Sequence, residues 1–143
     1  MCVTNSMKKI YYISTLFILL ILVGCKTNNT SNNSEVSSPI EDFDTFYDKF
    51  HNDSVFQLSR VKFPLNGGRF ENGNEIEWTK DNYTLLKTKI CDVDTIQFKT
   101  SYTKTDSTFY EKIWINDSGF WVECEFRIID QNWYLTTFNE SNE

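Results

Sequence analysis

Polar and apolar positions divide the chain into three unequal stretches. Met7-Lys8-Lys9 precedes an apolar run from Ile10 to Val23, residues 26–40 hold ten Asn, Ser or Thr and almost nothing apolar, and beyond Ile40 apolar residues recur at regular spacing. Phe43, Phe46, Tyr47 and Phe50 stand at i, i+3, i+4 and i+7, with Asp42, Asp44, Asp48 and Lys49 on the other side, which predicts an amphipathic helix. The acids Glu41, Asp42 and Asp44 suit the positive end of its dipole, and His51-Asn52-Asp53 ends it. From Ser54 the pattern predicts a helical turn, then extended chain from Val61 to Leu65, because Pro64 disfavours helix before it. Turns follow at Asn66-Gly67-Gly68 and Glu71-Asn72-Gly73-Asn74, and Thr79 is placed to cap a short helix running through Leu86. Residues 94–103, 108–115, 120–129 and 133–138, rich in Thr, Ile, Phe, Tyr and Trp between polar breaks, are predicted strands.

The hairpin around Asn116-Asp117-Ser118-Gly119 has one register in which both faces make chemical sense. Pairing Ile115 with Phe120 sets Ile113 against Val122, Glu111 against Cys124 and Phe109 against Phe126 on a nearly apolar face that Ile128 extends. The alternate positions pair Trp114 with Trp121, Lys112 with Glu123 and Tyr110 with Glu125, with Arg127 beyond. A slip by one residue would bury Lys112 and Glu123, so this register is favoured by several kcal/mol of avoided charge burial.

With 143 residues, a net charge of −6, 16% aromatic residues and a single His, the chain has room for one ordinary domain. An eight-fold barrel does not fit, and the acidic balance argues against nucleic acid, whose phosphates need a clustered basic surface. The first two dozen residues read as an export signal. Its apolar run of about 21 Å as a helix is shorter than a ~30 Å hydrocarbon core. The run ends in Leu22-Val23-Gly24-Cys25, which resembles the lipobox of bacterial lipoproteins, where the Cys is acylated (palmitate among its lipids) and becomes the new N-terminus. The resulting division is a lipoprotein signal peptide over 1–24, a flexible polar linker over 25–39 and a domain over 40–143. Removing residues 1–24 takes away Lys8 and Lys9 and no acid, so the net charge falls from −6 to −8. Lipid on Cys25, not a basic patch, is therefore expected to hold the protein at a membrane. The expected location is the outer membrane facing the periplasm, with surface display as the second choice. The linker spans on the order of 20 Å as a random coil.

The helix, the short second segment and the closing antiparallel meander together resemble the cone-shaped NTF2-like (cystatin-like) α+β fold, in which a curved antiparallel sheet packs on an N-terminal helix. More narrowly, Phe43-Asp-Thr-Phe-Tyr-Asp-Lys-Phe50, Asp53 to Arg60 with Val-Lys-Phe-Pro-Leu65, Trp78-Thr-Lys-Asp81 and Trp133-Tyr134-Leu135 look like a family of uncharacterised Bacteroidetes lipoproteins with that domain. The resemblance implies fold and location and carries no mechanism.

None of the common metalloprotease, nucleophile-elbow, dinucleotide or phosphate-loop motifs occurs, and no His/Cys cluster has zinc spacing. Neither a cofactor nor a metal is expected. His51 reads as a polar helix-terminal residue, and the carboxylate pairs Asp92/Asp94 and Glu123/Glu125 as solvated strand edges. Trp114 and Trp121 with Tyr110 have two readings. They line a concave pocket between sheet and helix, with Glu123, Glu125 and Arg127 as its polar groups, or they form an exposed aromatic ladder that meets a partner. Arg60, between apolar neighbours, is expected to bury its stem and pair with an acid. Cys91 and Cys124 are candidates for a disulfide, and Cys124 is equally suited to stand as a small buried hydrophobe.

Three functions follow. The first is a lipid-anchored envelope module, non-enzymatic, that binds an envelope protein or cell-wall partner. The second is a small-molecule binder or hydro-lyase/isomerase using the cone pocket, and the third an immunity protein against a secreted toxin.

Overall fold

The computed structural model describes residues 39–143, so the leader, Cys25 and the linker up to residue 38 lie outside the described residues. The first helix, α1 (Phe43–Asn52), starts where Asp42 accepts hydrogen bonds from the Thr45 N–H (2.9 Å) and hydroxyl (2.7 Å). Its stripe Phe43, Phe46, Tyr47 and Phe50 is buried, as the spacing requires. Asp53 closes α1 and opens α2 (Ser54–Ser59) by accepting from the Val55 and Phe56 N–H groups at 3.0 Å each. One side chain thus turns the chain without leaving either helix end unsatisfied.

Seven strands follow: β1 (Val61–Asn66), β2 (Gly68–Glu71), β3 (Asn74–Glu77), β4 (Lys99–Lys104), β5 (Thr108–Trp114), β6 (Phe120–Ile129) and β7 (Asn132–Asn142). They form one curved sheet in the order β3-β2-β7-β6-β5-β4, with β1 also on β7. The β4 to β7 meander is antiparallel, but β1 and β2 run parallel to β7, so the sheet is mixed where an antiparallel one is expected. Gly67 makes the step between β1 and β2. Its φ of +84° is open to glycine, and a Cβ there would stand 2.1 Å from Asn139 Oδ1.

The predicted hairpin register is the observed one, from Trp114 opposite Trp121 to Phe109 opposite Phe126. On β7, Leu135 pairs with Phe126 but Thr137 pairs with Glu125, leaving Thr136 as an extra residue whose hydroxyl donates to the Glu125 carbonyl (3.1 Å). This bulge changes the parity of the strand, so Trp133 and Leu135 before it and Phe138 after it all face the helix.

Two expected elements are replaced. There is no helix through Leu86: the chain makes a single turn at Thr79–Asn82, where Asn82 Oδ1 accepts the Thr79 N–H (2.7 Å) and the Asn82 side-chain amide donates to the Glu77 carbonyl (3.0 Å). Beyond it the segment is held extended by the buried Gln57. Its side-chain oxygen accepts from Leu86 N–H (2.8 Å), and its amide donates to Leu86 O (2.6 Å) and Phe50 O (2.7 Å). Residues 94–98 are likewise a turn and not strand, because the Asp94 carboxylate takes the Ile96 N–H (2.9 Å) and its carbonyl takes the Phe98 N–H (2.9 Å).

The core lies between α1 and the sheet. Phe46, Phe50, Phe126, Leu135 and Phe138 are fully enclosed, Phe43 packs on Phe109 and Trp133, and Trp78 stacks on Phe138 with centroids 4.7 Å apart. Aromatic rings fill the cone.

Candidate functional site

Alternation along β5 and β6 sorts the candidate residues by face. Phe109, Ile113, Val122, Cys124 and Phe126 belong to the core cluster, so Tyr110, Lys112, Trp114, Trp121, Glu123, Glu125 and Arg127 occupy the opposite, outer face. Of the two readings of Trp114, Trp121 and Tyr110, the register therefore excludes an interior pocket. On the outer face these three side chains line a shallow open groove of about 720 Å³, together with Lys112 and Ser101. The Trp114 indole N–H donates to Asn116 Oδ1 (3.0 Å), and the Trp121 ring is flanked by Phe70 (centroids 5.3 Å apart) and the Lys112 ammonium (5.8 Å). Lys112 also donates to Glu123 (2.6 Å) and Arg127 pairs with Glu125 (2.7 Å). Glu123, Glu125 and Arg127 thus form ion pairs along the same face beyond the residues that line the groove. The Glu123 contact raises the Lys112 pKa, and burial with Glu123 beside it raises that of Tyr110.

The inner face holds a polar group that sequence reasoning passes over. Tyr47 O–H donates to Glu111 Oε2 (2.5 Å) and accepts the Ile90 N–H (3.0 Å), joining α1, β5 and the short 3-10 turn Ile90–Asp92. Glu111 is only 4% exposed, and burial pushes its carboxyl up to about 7 against the lowering effect of the Tyr47 bond. Burial raises the Tyr47 and Cys124 pKa values too. His51, expected as a polar residue at the helix end, lies in the last turn of α1, is 6% exposed and packs edge-on against Tyr47 with centroids 4.4 Å apart. Its Nδ1–H donates to the Tyr47 carbonyl (2.9 Å), which leaves Nε2 unprotonated, buried and without a hydrogen-bond partner among the described residues. Burial accordingly lowers its pKa. The available signal for this cluster was Glu111 alone, the one charge on the apolar side of the hairpin.

Arg60 meets the expected acid. Its guanidinium forks onto Glu41 (2.8 and 3.0 Å) and reaches the Trp133 carbonyl (3.1 Å), while Glu41 accepts the Trp133 N–H (2.8 Å). These bonds fasten the start of the domain to β7 and leave Arg60 no role in the groove. Cys91 and Cys124 are not bridged to each other: Cys91 is exposed beside Ile90, and Cys124 is buried on β6 as a small hydrophobe. Among the described residues no group of three or more His, Cys, Asp and Glu is arranged to hold a metal ion, and no helix is long and apolar enough to cross a membrane.

Comparison with known proteins bears on the fold. A protein-family model matches residues 41–142. An NTF2-like protein from Bacteroides fragilis shares 19% identity with a TM-score of 0.49, over 73% of this chain and 48% of its own, so this chain spans about half of that relative's length. A protein from Bacteroides uniformis, solved by NMR, shares 23% identity with a TM-score of 0.51 over 71% of this chain and 77% of its own. No curated protein matches. With a curved mixed sheet packed on an N-terminal helix, an α+β fold, the chain belongs to the family whose model spans residues 41–142.

Proposed function

We propose that this protein is a non-enzymatic binding module of the bacterial cell envelope, anchored through lipid on Cys25, that presents the outer face of its sheet to a partner. One observation carries the binding part: aromatic rings fill the space between helix and sheet, while Trp114, Trp121 and Tyr110 stand on the open face. Rings that the core does not need, half-buried at Trp114 and Trp121 and exposed at Tyr110, and held in position by Asn116, Phe70 and Lys112, form an apolar surface of the kind that marks an interaction site. The anchor rests on Leu22-Val23-Gly24-Cys25 and on the acidity of the chain after Cys25, which gives an anionic lipid surface nothing to attract.

Two measurements test the reading. Cys25→Ala should lose the acyl mass and leave the membrane fraction, and an unchanged mass and fractionation would remove the anchor. A photoreactive residue in place of Ser101 should form adducts with envelope material in cells, and these should disappear with Trp114→Ala and Trp121→Ala. Absence of any adduct would remove the binding role of this face.

A further inference from the structure

We infer that the groove on the outer face binds a neutral oligosaccharide, an assignment that rests on the binding-module reading and names its ligand class. Three observations support it. The first is the row of rings: strand pairing sets Phe70, Ser141, Trp121 and Trp114 side by side on adjacent strands. An indole offers an apolar face with a polar N–H at its edge, and the Trp114 edge is held by Asn116. A pyranose has the matching shape, with C–H groups on its ring face and hydroxyls at its rim.

The second observation is the row beside the rings. Asn139, Glu123, Lys112 and Ser101 lie next to one another across β7, β6, β5 and β4. Ser101 and Lys112 line the groove and offer a hydroxyl and an ammonium to sugar hydroxyls, with Glu123 beside Lys112, while the Asn139 amide oxygen is taken by the Gly68 N–H. Lys112 spends one N–H on Glu123, and its ammonium has three to offer. The core of a protein interface is depleted of Lys, Glu, Asp and Ser, so this row fits a polyhydroxylated ligand better than a protein.

The third is charge. This face carries no surplus of cations: Lys99, Lys112 and Arg127 stand against Glu75, Glu77, Glu123 and Glu125. An anionic lipid or a nucleic acid would need a surplus of cations that the face lacks. The open groove of about 720 Å³ has room for a few sugar units of a longer chain running across the strands.

The test uses the full-length protein, purified in a detergent without a sugar headgroup. It is titrated with cellohexaose, xylohexaose, mannohexaose, laminarihexaose and maltohexaose, with hexagalacturonate as the charged control, and tryptophan fluorescence and calorimetry are followed. At least one neutral hexasaccharide should bind, and Trp114→Ala should weaken it by about tenfold or more. Since Trp121 packs on Phe70, a second variant avoids the ring contacts: Ser101→Trp fills the groove from β4 and should abolish binding with an unchanged melting curve. No binding by any neutral hexasaccharide, undiminished binding in both variants, or preferential salt-sensitive binding of hexagalacturonate would each overturn the inference. If Ser101 adducts in cells prove to be protein and no hexasaccharide binds, the glycan assignment falls and the binding module stands. If neither is found, both fall.

Discussion

Glu111 and Glu123 lie on paired neighbouring strands of one hairpin, on opposite faces, and differ in almost every chemical respect. Glu111 faces α1, is sealed among aromatic rings and keeps its proton up to about pH 7 with a phenol as its partner. Glu123 faces outward and pairs with the Lys112 ammonium at 2.6 Å. The difference shows that the sheet separates two environments: the inner face stores stability, and the outer face keeps most of its polar groups available to solvent and to a partner. A pattern of alternating residues is enough to make both.

The largest test breaks the separation itself. Deleting Thr136 removes the bulge, so that either Trp133 and Leu135 or Phe138 must turn outward. Exposing a large apolar side chain costs roughly 1.5–3 kcal/mol, and a domain of this size has only about 5–15 kcal/mol in total. The deletion should abolish the cooperative thermal transition, and a retained transition would show that the bulge does not set the faces.

Next in size, Phe126→Ala should lower the unfolding free energy by about 3–5 kcal/mol in urea titrations, whereas Trp114→Ala should change it by no more than about 1 kcal/mol. Equal losses would mean that the outer rings serve the fold and not a partner.

Acid–base behaviour sharpens the contrast at a comparable or smaller scale. The Glu111 carboxyl rises from 4.5 to about 7 on folding, so between those values the folded state binds more protons than the unfolded, and stability falls as pH rises across that window, by up to about 3 kcal/mol. His51 has the opposite slope: its pKa is lowered below 6.5 by burial, so stability falls as pH drops below 6.5. Lys89, Asp92 and Asp48 face the same imidazole. Glu111→Gln should remove the fall in stability as pH rises from 4.5 to 7 and leave the rise with pH that His51 gives below 6.5, as read from denaturant midpoints at each pH. A fall in stability with rising pH that survives this substitution would place the titrating group elsewhere.

Smallest of all, Lys112→Ala should cost less than about 1 kcal/mol, with the effect shrinking further in high salt, because this pair is partly exposed. A larger or salt-independent loss would mean that the outer face is less open than its geometry indicates.

The parts of this fold legible in the sequence are those with local, two-sided constraints. The stripe of α1 and the β5–β6 register each set apolar against charged positions within a few residues, and the stem of Arg60 among apolar neighbours pointed to a buried acid partner. The parallel pairing of β1 and β2 with β7 left no such trace, since Arg69 and Glu140 meet across 71 residues. The polar end of β7, Asn139 to Asn142, reads as a tail until its partners on β2 and β6 are known. The helix expected after Thr79 fails because Gln57, distant in sequence, supplies the hydrogen bonds that would otherwise come from a helical turn. The candidate site divides the same way: the sequence placed Trp114, Trp121 and Tyr110 together, but a face becomes inside or outside only when the helix docks. The Tyr47–Glu111 bridge spans 64 residues, and Glu111, the one charge on the apolar side of its hairpin, does not by itself point to a partner on α1.

The pairing of β1, β2 and β6 with a single strand that follows them all has a consequence for the order of assembly. As the chain emerges residue by residue, the N-terminal helices and the first strands have no template, and the seven-stranded sheet becomes possible only when β7 arrives. Such long-range closure makes folding slow and late. Until then only the β2–β3 hairpin and the β4–β5–β6 meander can pair, and the strands that await β7 keep open edges.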